Sequence, residues 1–156
     1  MYCAKYSSPL GEILLTCSEN GLTGLWLNRE MPDREDSHPV LEKTKLWLEA
    51  YFRGERLEIP VPLEPEGTEF QKAVWEILLK IPYGRTRTYG EIAREMARIT
   101  GKEKMSAQAV GQAVGRNPIS ILIPCHRCVG EGGKLTGYAS GLEKKVWLLE
   151  HEGAEL

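Results

Sequence analysis

The 156-residue sequence contains no apolar run of about 18 residues, which is the length that a membrane-spanning helix needs. Residues 1–5 are not followed by the apolar core of a secretory signal peptide. The sequence also shows no internal repeat and no low-complexity segment. We therefore expect a cytoplasmic globular protein with no membrane partner.

Cysteine and histidine are scarce, since the chain has only four cysteines and three histidines. In a cytoplasmic protein, four cysteines are more often thiols or metal ligands than a disulfide framework. A hairpin centred near Pro9 and Leu10 would pair residues whose numbers sum to about 19 or 20, so Cys3 and Cys17 could lie opposite each other. They could cross-link or hold a metal, although two small strand residues explain the pattern more simply.

Net charge is also low, at −2, but it is unevenly distributed. Residues 1–67 carry 7 basic and 12 acidic side chains, whereas residues 68–156 carry 13 and 10. A basic half can suit a polyanionic partner such as nucleic acid. Ordinary solvated surface explains so small an imbalance equally well.

The first part of the chain has the pattern of a small α/β unit. Short apolar runs separated by turn signals predict three strands, at residues 2–6, 12–17 and 22–27. An apolar face over residues 40–52, between Pro39 and Gly54, predicts a helix. Residues 64–67 look like a boundary, so we predict a first domain over residues 1–66.

The second part, residues 67–156, is richer in helix signals. Three capping boxes precede apolar stripes, at Thr68-x-x-Gln71, Thr88-x-x-Glu91 and Ser140-x-x-Glu143. Ser106 is expected to cap a further helix over residues 107–116, which would follow a helix over residues 89–99. Such a pair suggests a DNA-binding helix-turn-helix, although tight helix packing would use the small residues of the second helix equally well.

An apolar run over residues 119–123 leads directly to a cluster of chemically active side chains. The run predicts a buried strand that ends at Pro124 and holds the thiol of Cys125 on rigid backbone. Cys125 could be a nucleophile, a redox partner of Cys128, half of a zinc site, or a buried structural cysteine.

His126 is the natural base for this thiol, but adjacent side chains on extended backbone point to opposite faces. A bridging water or a bend in the backbone is therefore more plausible than direct contact between Cys125 and His126 on an extended segment. Glu152 and Glu150 are the candidates for a third group that orients the imidazole. Three further side chains could line a pocket near the thiol: Tyr89, Tyr138 and Ser140.

Residues 67–153 resemble, in order along the chain, the O6-alkylguanine-DNA alkyltransferases, also called methylated-DNA–protein-cysteine methyltransferases. The most specific match is Pro124-Cys125-His126-Arg127, and the turn at residues 8–11 fits the N-terminal domain of the family. The other matching stretches are Gly67-Thr68-Glu69-Phe70-Gln71, Ile81-Pro82-Tyr83-Gly84-Arg85-Thr86, Thr88-Tyr89-Gly90-Glu91-Ile92-Ala93, Ala109-Val110-Gly111, Asn117-Pro118, Leu135-Thr136-Gly137-Tyr138 and Leu148-Leu149-x-x-Glu152-Gly153.

The resemblance implies an α+β protein in which a ribonuclease-H-like α/β domain precedes a mostly helical, winged-helix-like domain. The helix over residues 107–116 would lie in the minor groove of double-stranded DNA, and the alkylated guanine would be flipped out of the stack. The protein would act as a monomer and without a cofactor. It would move the alkyl group from O6-alkylguanine, or O4-alkylthymine, to its own cysteine once.

The resemblance also implies roles for individual residues. Cys125 would accept the alkyl group, His126 would activate it through a water, and Glu152 would orient the imidazole. Tyr89 would aid flipping and donate to the base, and Asn117 would brace the active-site turn. Contacts with DNA or the flipped base are implied for Gln108, Ala109, Gly111, Arg116, Arg127, Cys128, Tyr138, Ala139 and Ser140.

Four positions depart from the family pattern. Gln108 stands where the family usually has the arginine that fills the stack after flipping. Cys128 replaces a valine or isoleucine, and Ser140 replaces a glycine. Leu22 stands where some relatives have a zinc-binding histidine, so we predict no metal. A lesion-binding protein without chemistry is the main rival function, but such relatives lack the nucleophilic cysteine that is present here.

Overall fold

The computed structural model describes residues 1–155 of the chain, which divide into two compact units. The first unit contains Met1–Glu66 together with Pro118–Leu122, and the second contains Gly67–Asn117 and the described residues from Ile123 onward. Together the units confirm the predicted α+β class. None of the helices in residues 1–155 is long and apolar enough to cross a membrane.

A three-stranded antiparallel sheet and one helix form most of the first unit. The strands lie in the order β1-β2-β3, and the helix α1 begins at a proline, whose fixed φ suits the first helical turn. The middle strand is buried over its last five residues, so it forms the centre of this core. The elements are β1 (Tyr2–Ser8), β2 (Gly11–Cys17), β3 (Leu22–Trp26) and α1 (Pro39–Phe52).

The two N-terminal cysteines do not face each other, so that prediction was wrong. In the β1–β2 ladder Tyr2 pairs with Cys17, and Cys3 pairs with Thr16. Since successive side chains alternate between the faces of a sheet, this register puts Cys3 and Cys17 on opposite faces. Both are buried free thiols.

The apolar run that we predicted as a strand is a pair of tight turns instead. Its first residue, Ile119, makes an isolated bridge to Leu25. Ile121 then adopts a positive φ of 71°, inside a turn closed by a 2.8 Å hydrogen bond from the Leu122 amide to the Ser120 carbonyl. The run is apolar because its side chains are buried, and burial alone does not distinguish a strand from turns.

Four helices and a short parallel pair of strands form the second unit. The two predicted capping boxes at Thr68 and Thr88 are confirmed, and each side chain bonds the amide three residues on. Ser106 caps the third helix, as predicted. The elements are α2 (Glu69–Leu78), β4 (Arg87–Thr88), α3 (Tyr89–Thr100), α4 (Ala107–Gly115), β5 (Cys128–Val129) and α5 (Leu142–His151).

The capping box predicted at Ser140 was wrong. The residue that precedes α5 is Gly141, and no side chain caps the helix there. Gly141 has a φ of +106°, a backbone conformation that glycine adopts far more easily than other residues. Ser140 therefore lies one residue too early to serve as the cap.

α3 and α4 follow each other in the arrangement predicted for a helix-turn-helix. The indole of Trp75 in α2 donates a buried 2.9 Å hydrogen bond to the carbonyl of Ala113, which fixes α4 against α2. A Cβ built on Gly111 would lie 3.8 Å from the ring of Tyr89, so the ring covers this small residue closely. Small residues of α4 thus allow close packing within the second unit, whether or not its exposed face also binds a partner.

Candidate active site

The thiol of Cys125 lies on a single turn of 3-10 helix, Cys125–Arg127, that follows Pro124. The amide of Cys125 donates a 2.7 Å hydrogen bond to the carbonyl of Ile123. The same carbonyl accepts a 2.8 Å hydrogen bond from the side-chain amide of Asn117. The carboxamide therefore fixes the turn at the place where the resemblance implied a brace.

The thiol of Cys125 is buried beside the hydroxyl of a tyrosine. Cys125 is 6% exposed, and its Sγ lies 3.7 Å from the hydroxyl of Tyr138. Burial raises the pKa of Cys125, while hydrogen bonds with Asn117 and Tyr138 and the charge of Lys145 act to lower it. The thiol is consequently protonated at neutral pH, and its use as a nucleophile needs both a base and a stabilising charge.

His126 is fully buried next to that thiol and is held by Glu152. Its Nε2 lies 2.8 Å from Oε2 of Glu152, and both side chains have no exposed surface. Burial lowers the pKa of His126, although Glu152 acts in the opposite direction. The imidazole is therefore neutral, and its proton is on Nε2, where the carboxylate accepts it.

The other ring nitrogen, Nδ1, is buried and has no hydrogen-bond partner among residues 1–155. With the proton on Nε2, Nδ1 carries a lone pair and is the basic atom of the ring. A buried acceptor of this kind is normally paired with an ordered water when no protein group reaches it. The backbone at Cys125 and His126 is a 3-10 turn, which is the bend that the sequence left open, and a water bridge between the two side chains stays a prediction.

The guanidinium of Arg127 completes the cluster. Its Nε donates to Oε1 of Glu152 at 2.8 Å and its second terminal nitrogen to Oε2 at 3.0 Å, which is the two-point geometry typical of arginine and carboxylate. Its remaining terminal nitrogen donates at 2.7 Å to the carbonyl of Ile81. All three nitrogens of the guanidinium thus bond groups of the protein itself. The contact with DNA that we expected of Arg127 stays a prediction.

Electrostatics favour an ionised Glu152. Burial acts to raise its pKa, but the hydrogen bonds from His126 and Arg127 outweigh burial and hold the pKa well below the ordinary value. The structure also separates the two glutamates that the sequence left open, since Glu150 is exposed and Glu152 is 3% exposed. Glu152 is therefore the group that orients His126.

Tyr89, the first residue of α3, contributes a hydroxyl to the same region. Burial and the nearby thiols of Cys128 and Cys125 raise the pKa of Tyr89 to about 12. Its hydroxyl therefore keeps its proton at physiological pH and can act as a hydrogen-bond donor.

Cys128 begins β5 and is completely buried. Burial raises its pKa to about 12, so its thiol behaves as a small apolar side chain rather than as a second nucleophile. Within residues 1–155 no group of three or more His, Cys, Asp or Glu side chains could hold a metal ion.

Sequence reasoning missed Lys145, which lies on α5 and has no exposed surface. Its Nζ donates to the carbonyls of Thr136 at 3.1 Å and Gly137 at 3.3 Å. The signal that could have found it is its spacing, because Lys145 precedes the buried Leu148 and Leu149 by three and four residues on the same helix face. A lysine beside a second lysine is otherwise typical of a solvated surface.

Apart from Arg127 and Cys128, the residues with implied DNA contacts fall into two groups. Gln108 on α4 and Arg116 directly after it are exposed, and Ala109 and Gly111 on α4 are half-buried. Beside them is a groove of about 550 Å³ that none of the predicted catalytic residues lines; its walls are Thr68, Phe70, Gln71, Ala109, Gln112, Ala113, Gly115 and Arg116. The second group precedes α5 and consists of Tyr138, Ala139 and Ser140, of which Ala139 is exposed.

Replacing the buried carboxylate should have a pH-dependent cost. Glu152→Gln leaves Arg127 without its charge partner, so we expect the free energy of unfolding to fall by roughly 3–5 kcal/mol at pH 7. A carboxylate with a lowered folded-state pKa contributes stability above its unfolded value of about 4.3, and that contribution is lost as pH falls toward the folded value. The loss in Glu152→Gln should therefore be smaller at pH 3 than at pH 7.

Urea unfolding of the wild type and the variant at the two pH values tests this prediction. Glu150→Gln is the matched control, because it removes an exposed carboxylate two residues away and should change stability by less than about 0.5 kcal/mol. An equal loss for Glu152→Gln at both pH values would contradict the ionised state of Glu152.

The chain is similar to known proteins over nearly all of its length. Family models match for the ribonuclease-like domain of 6-O-methylguanine DNA methyltransferase at residues 1–65 and for its DNA-binding domain at residues 69–154. A methylated-DNA–protein-cysteine methyltransferase of Methanosarcina acetivorans is 49% identical over 160 residues, covering 99% of each chain. A protein of the same name from Haemophilus influenzae is 42% identical, covering 97% of this chain and 86% of its own.

Among solved structures, the crystal structure of Mycobacterium tuberculosis OGT in complex with DNA aligns with a TM-score of 0.86 and 40% identity. The alignment covers 98% of this chain and 93% of that one. With two family models spanning nearly all of its length and relatives this similar, the chain belongs to the 6-O-methylguanine DNA methyltransferase family.

Proposed function

We propose that this protein repairs DNA by transferring the alkyl group of O6-alkylguanine, and of O4-alkylthymine, to Cys125 in a single irreversible turnover. The observation that carries the proposal is the buried thiol beside a histidine whose Nε2 is held by Glu152 at 2.8 Å. The same compact unit contains the helix pair α3–α4, which suits DNA. The relatives are named for methyl transfer from methylated DNA to a protein cysteine, which supports the proposal.

The first step is removal of the thiol proton. We propose that a water carries it from Cys125 to Nδ1 of His126, the buried nitrogen with no hydrogen-bond partner among residues 1–155. The imidazolium that forms keeps its Nε2–H on the carboxylate of Glu152. The resulting thiolate is the strong, soft nucleophile that displacement at a saturated carbon requires.

The second step transfers the alkyl group. The sulfur lone pair forms the new S–C bond, the C–O6 bond breaks, and its electron pair leaves with the guanine. Charge therefore develops on the base, and a neutral donor beside it lowers the barrier. Tyr89, whose hydroxyl stays protonated, is the donor that we propose for this role. A thioether is not hydrolysed under physiological conditions, so each molecule acts once.

Double-stranded DNA would be bound through its minor groove by the exposed face of α4, with the target base flipped toward Cys125. This placement uses Gln108 as the side chain that fills the vacated stack and Arg116 as a phosphate contact. The loop with Tyr138, Ala139 and Ser140 would border the flipped base, together with the main chain of Cys128. The protein would act as a monomer in the cytoplasm. Its first domain would end at residue 66, while residues 118–122 group with that domain.

Mass spectrometry after incubation with DNA that contains O6-methylguanine tests the transfer. We expect a gain of one CH2 unit per protein molecule, located on the peptide with Cys125, and no further gain with excess DNA. Cys125→Ser is the matched control and should bind the same DNA without the gain. Tight binding with an unmodified Cys125 would contradict the transferase and favour a lesion-binding protein.

The role of Gln108 has a separate test. Gln108→Arg introduces a longer cation at the position expected to enter the stack, so duplex affinity should rise and depend more steeply on salt. Gln112→Arg adds the same charge one helical turn along on the exposed surface of α4 and controls for non-specific attraction. Equal gains in the affinities of the two variants, measured by fluorescence anisotropy, would contradict a special role for position 108.

A further inference from the structure

The cluster that orients His126 carries no net charge before the reaction. Glu152 is negative, Arg127 is positive, and the buried imidazole is neutral. His126 becomes a cation only when it receives the proton of the thiol itself. Proton transfer thus forms the thiolate and the imidazolium as a neutral pair, and a further positive charge near the sulfur would favour the ionised thiol.

Lys145 is a buried cation whose charge acts to lower the pKa of both Cys125 and Cys128. It is fully buried on α5, and no carboxylate within residues 1–155 forms an ion pair with it. Both Cys125 and Cys128 are close enough for their charges to raise its pKa, although burial lowers the pKa overall. Its Nζ also lies 5.8 Å from the centre of the Tyr89 ring.

The other titratable groups around this amine do not compete for its charge. Cys128 and Tyr89 both have a pKa raised to about 12, so they are neutral at pH 7. His126 is neutral as well, and it feels Lys145 only as a repulsive charge. Cys125 is the remaining group that can become an anion beside the ammonium. The more distant charges that act on Cys128 are Arg87 and Glu91, which have opposite signs.

The amine also holds the chain that carries Tyr138. Two of its three N–H donors bond the carbonyls of Thr136 and Gly137, the two residues immediately before that tyrosine. The hydroxyl of Tyr138 in turn lies 3.7 Å from Sγ of Cys125. Lys145 is thus linked to the thiol both by charge and through the position of a hydrogen-bonding side chain.

We propose that Lys145 is a positioning residue whose ammonium stabilises the thiolate of Cys125 and fixes the Tyr138 loop against it. The inference deepens the proposed alkyl transfer and rests on it for its biological meaning. Its chemical content, that Lys145 controls the ionisation of Cys125, does not require DNA.

Alkylation of the thiol by iodoacetamide measures that ionisation directly, since only the thiolate reacts. The rate at Cys125 is followed by peptide mass spectrometry from pH 6 to pH 10, which separates it from the other three cysteines. Lys145→Met keeps the length of the side chain and removes its charge. In this variant we expect the pH at which the alkylation rate of Cys125 is half-maximal, the midpoint, to rise by about one unit or more. The rate at pH 7 should then fall about tenfold or more.

Three further variants make the test specific. Lys144→Met removes the neighbouring lysine and should leave the midpoint unchanged. Lys145→Arg keeps the charge and should restore part of the shift. Lys145→Gln keeps a hydrogen-bond donor without charge and should behave like Lys145→Met, and it replaces that variant if thermal unfolding shows Lys145→Met to be unfolded.

A folded Lys145→Met or Lys145→Gln with the wild-type midpoint would overturn the proposal. An equal fall in the alkylation rate of Lys145→Arg and Lys145→Gln, with no change in the pH midpoint, would also overturn it. That pattern would indicate that the lysine has a purely structural role. If the midpoint moves as expected but wild-type protein takes no methyl group from DNA, the inference about Lys145 holds and the proposed transferase function fails.

Discussion

One carboxylate, that of Glu152, fixes the geometry on which the rest of the active site depends. At the C-terminal end of α5 it accepts hydrogen bonds from His126 and Arg127, while Arg127 also bonds the carbonyl of Ile81 beyond α2. A single buried anion thus joins three segments that are distant in sequence. Without this carboxylate, the buried guanidinium of Arg127 would have no charge partner and the imidazole of His126 would have no group to orient it. Both residues belong to the turn that carries Cys125.

In this arrangement different residues orient the base and stabilise the charge of the thiolate. A description by cysteine, histidine and carboxylate alone assigns both tasks to the same three residues. Orientation of the base comes from Glu152, whose charge Arg127 balances, so these three side chains carry no net charge until His126 takes the proton of the thiol. Stabilisation of the thiolate charge is the role that we propose for Lys145, which lies on α5 and bonds the two carbonyls that precede Tyr138. The helix therefore contributes one residue to proton transfer and another to charge stabilisation, in positions fixed by a shared buried face.

Much of this molecule could be predicted from sequence, because capping residues and apolar periodicity are local signals. Thr68, Thr88 and Ser106 gave helix starts correctly, and Cys125 with His126 marked the site. The predictions that failed depended on the tertiary surroundings of a residue, which local sequence signals do not report. The run before Pro124 is apolar because it is buried on all sides, which concealed its turns, and Lys145 looked like surface because its burial depends on the loop that covers it.

The state of His126 tests this account most directly. Nitrogen-15 NMR of the imidazole at pH 7 reports which ring nitrogens carry protons. The account predicts a neutral ring with its proton on Nε2 and an unprotonated Nδ1, since burial lowers the pKa of His126 and Glu152 accepts from Nε2. A ring protonated on both nitrogens at pH 7, or a neutral ring with its proton on Nδ1, would contradict it.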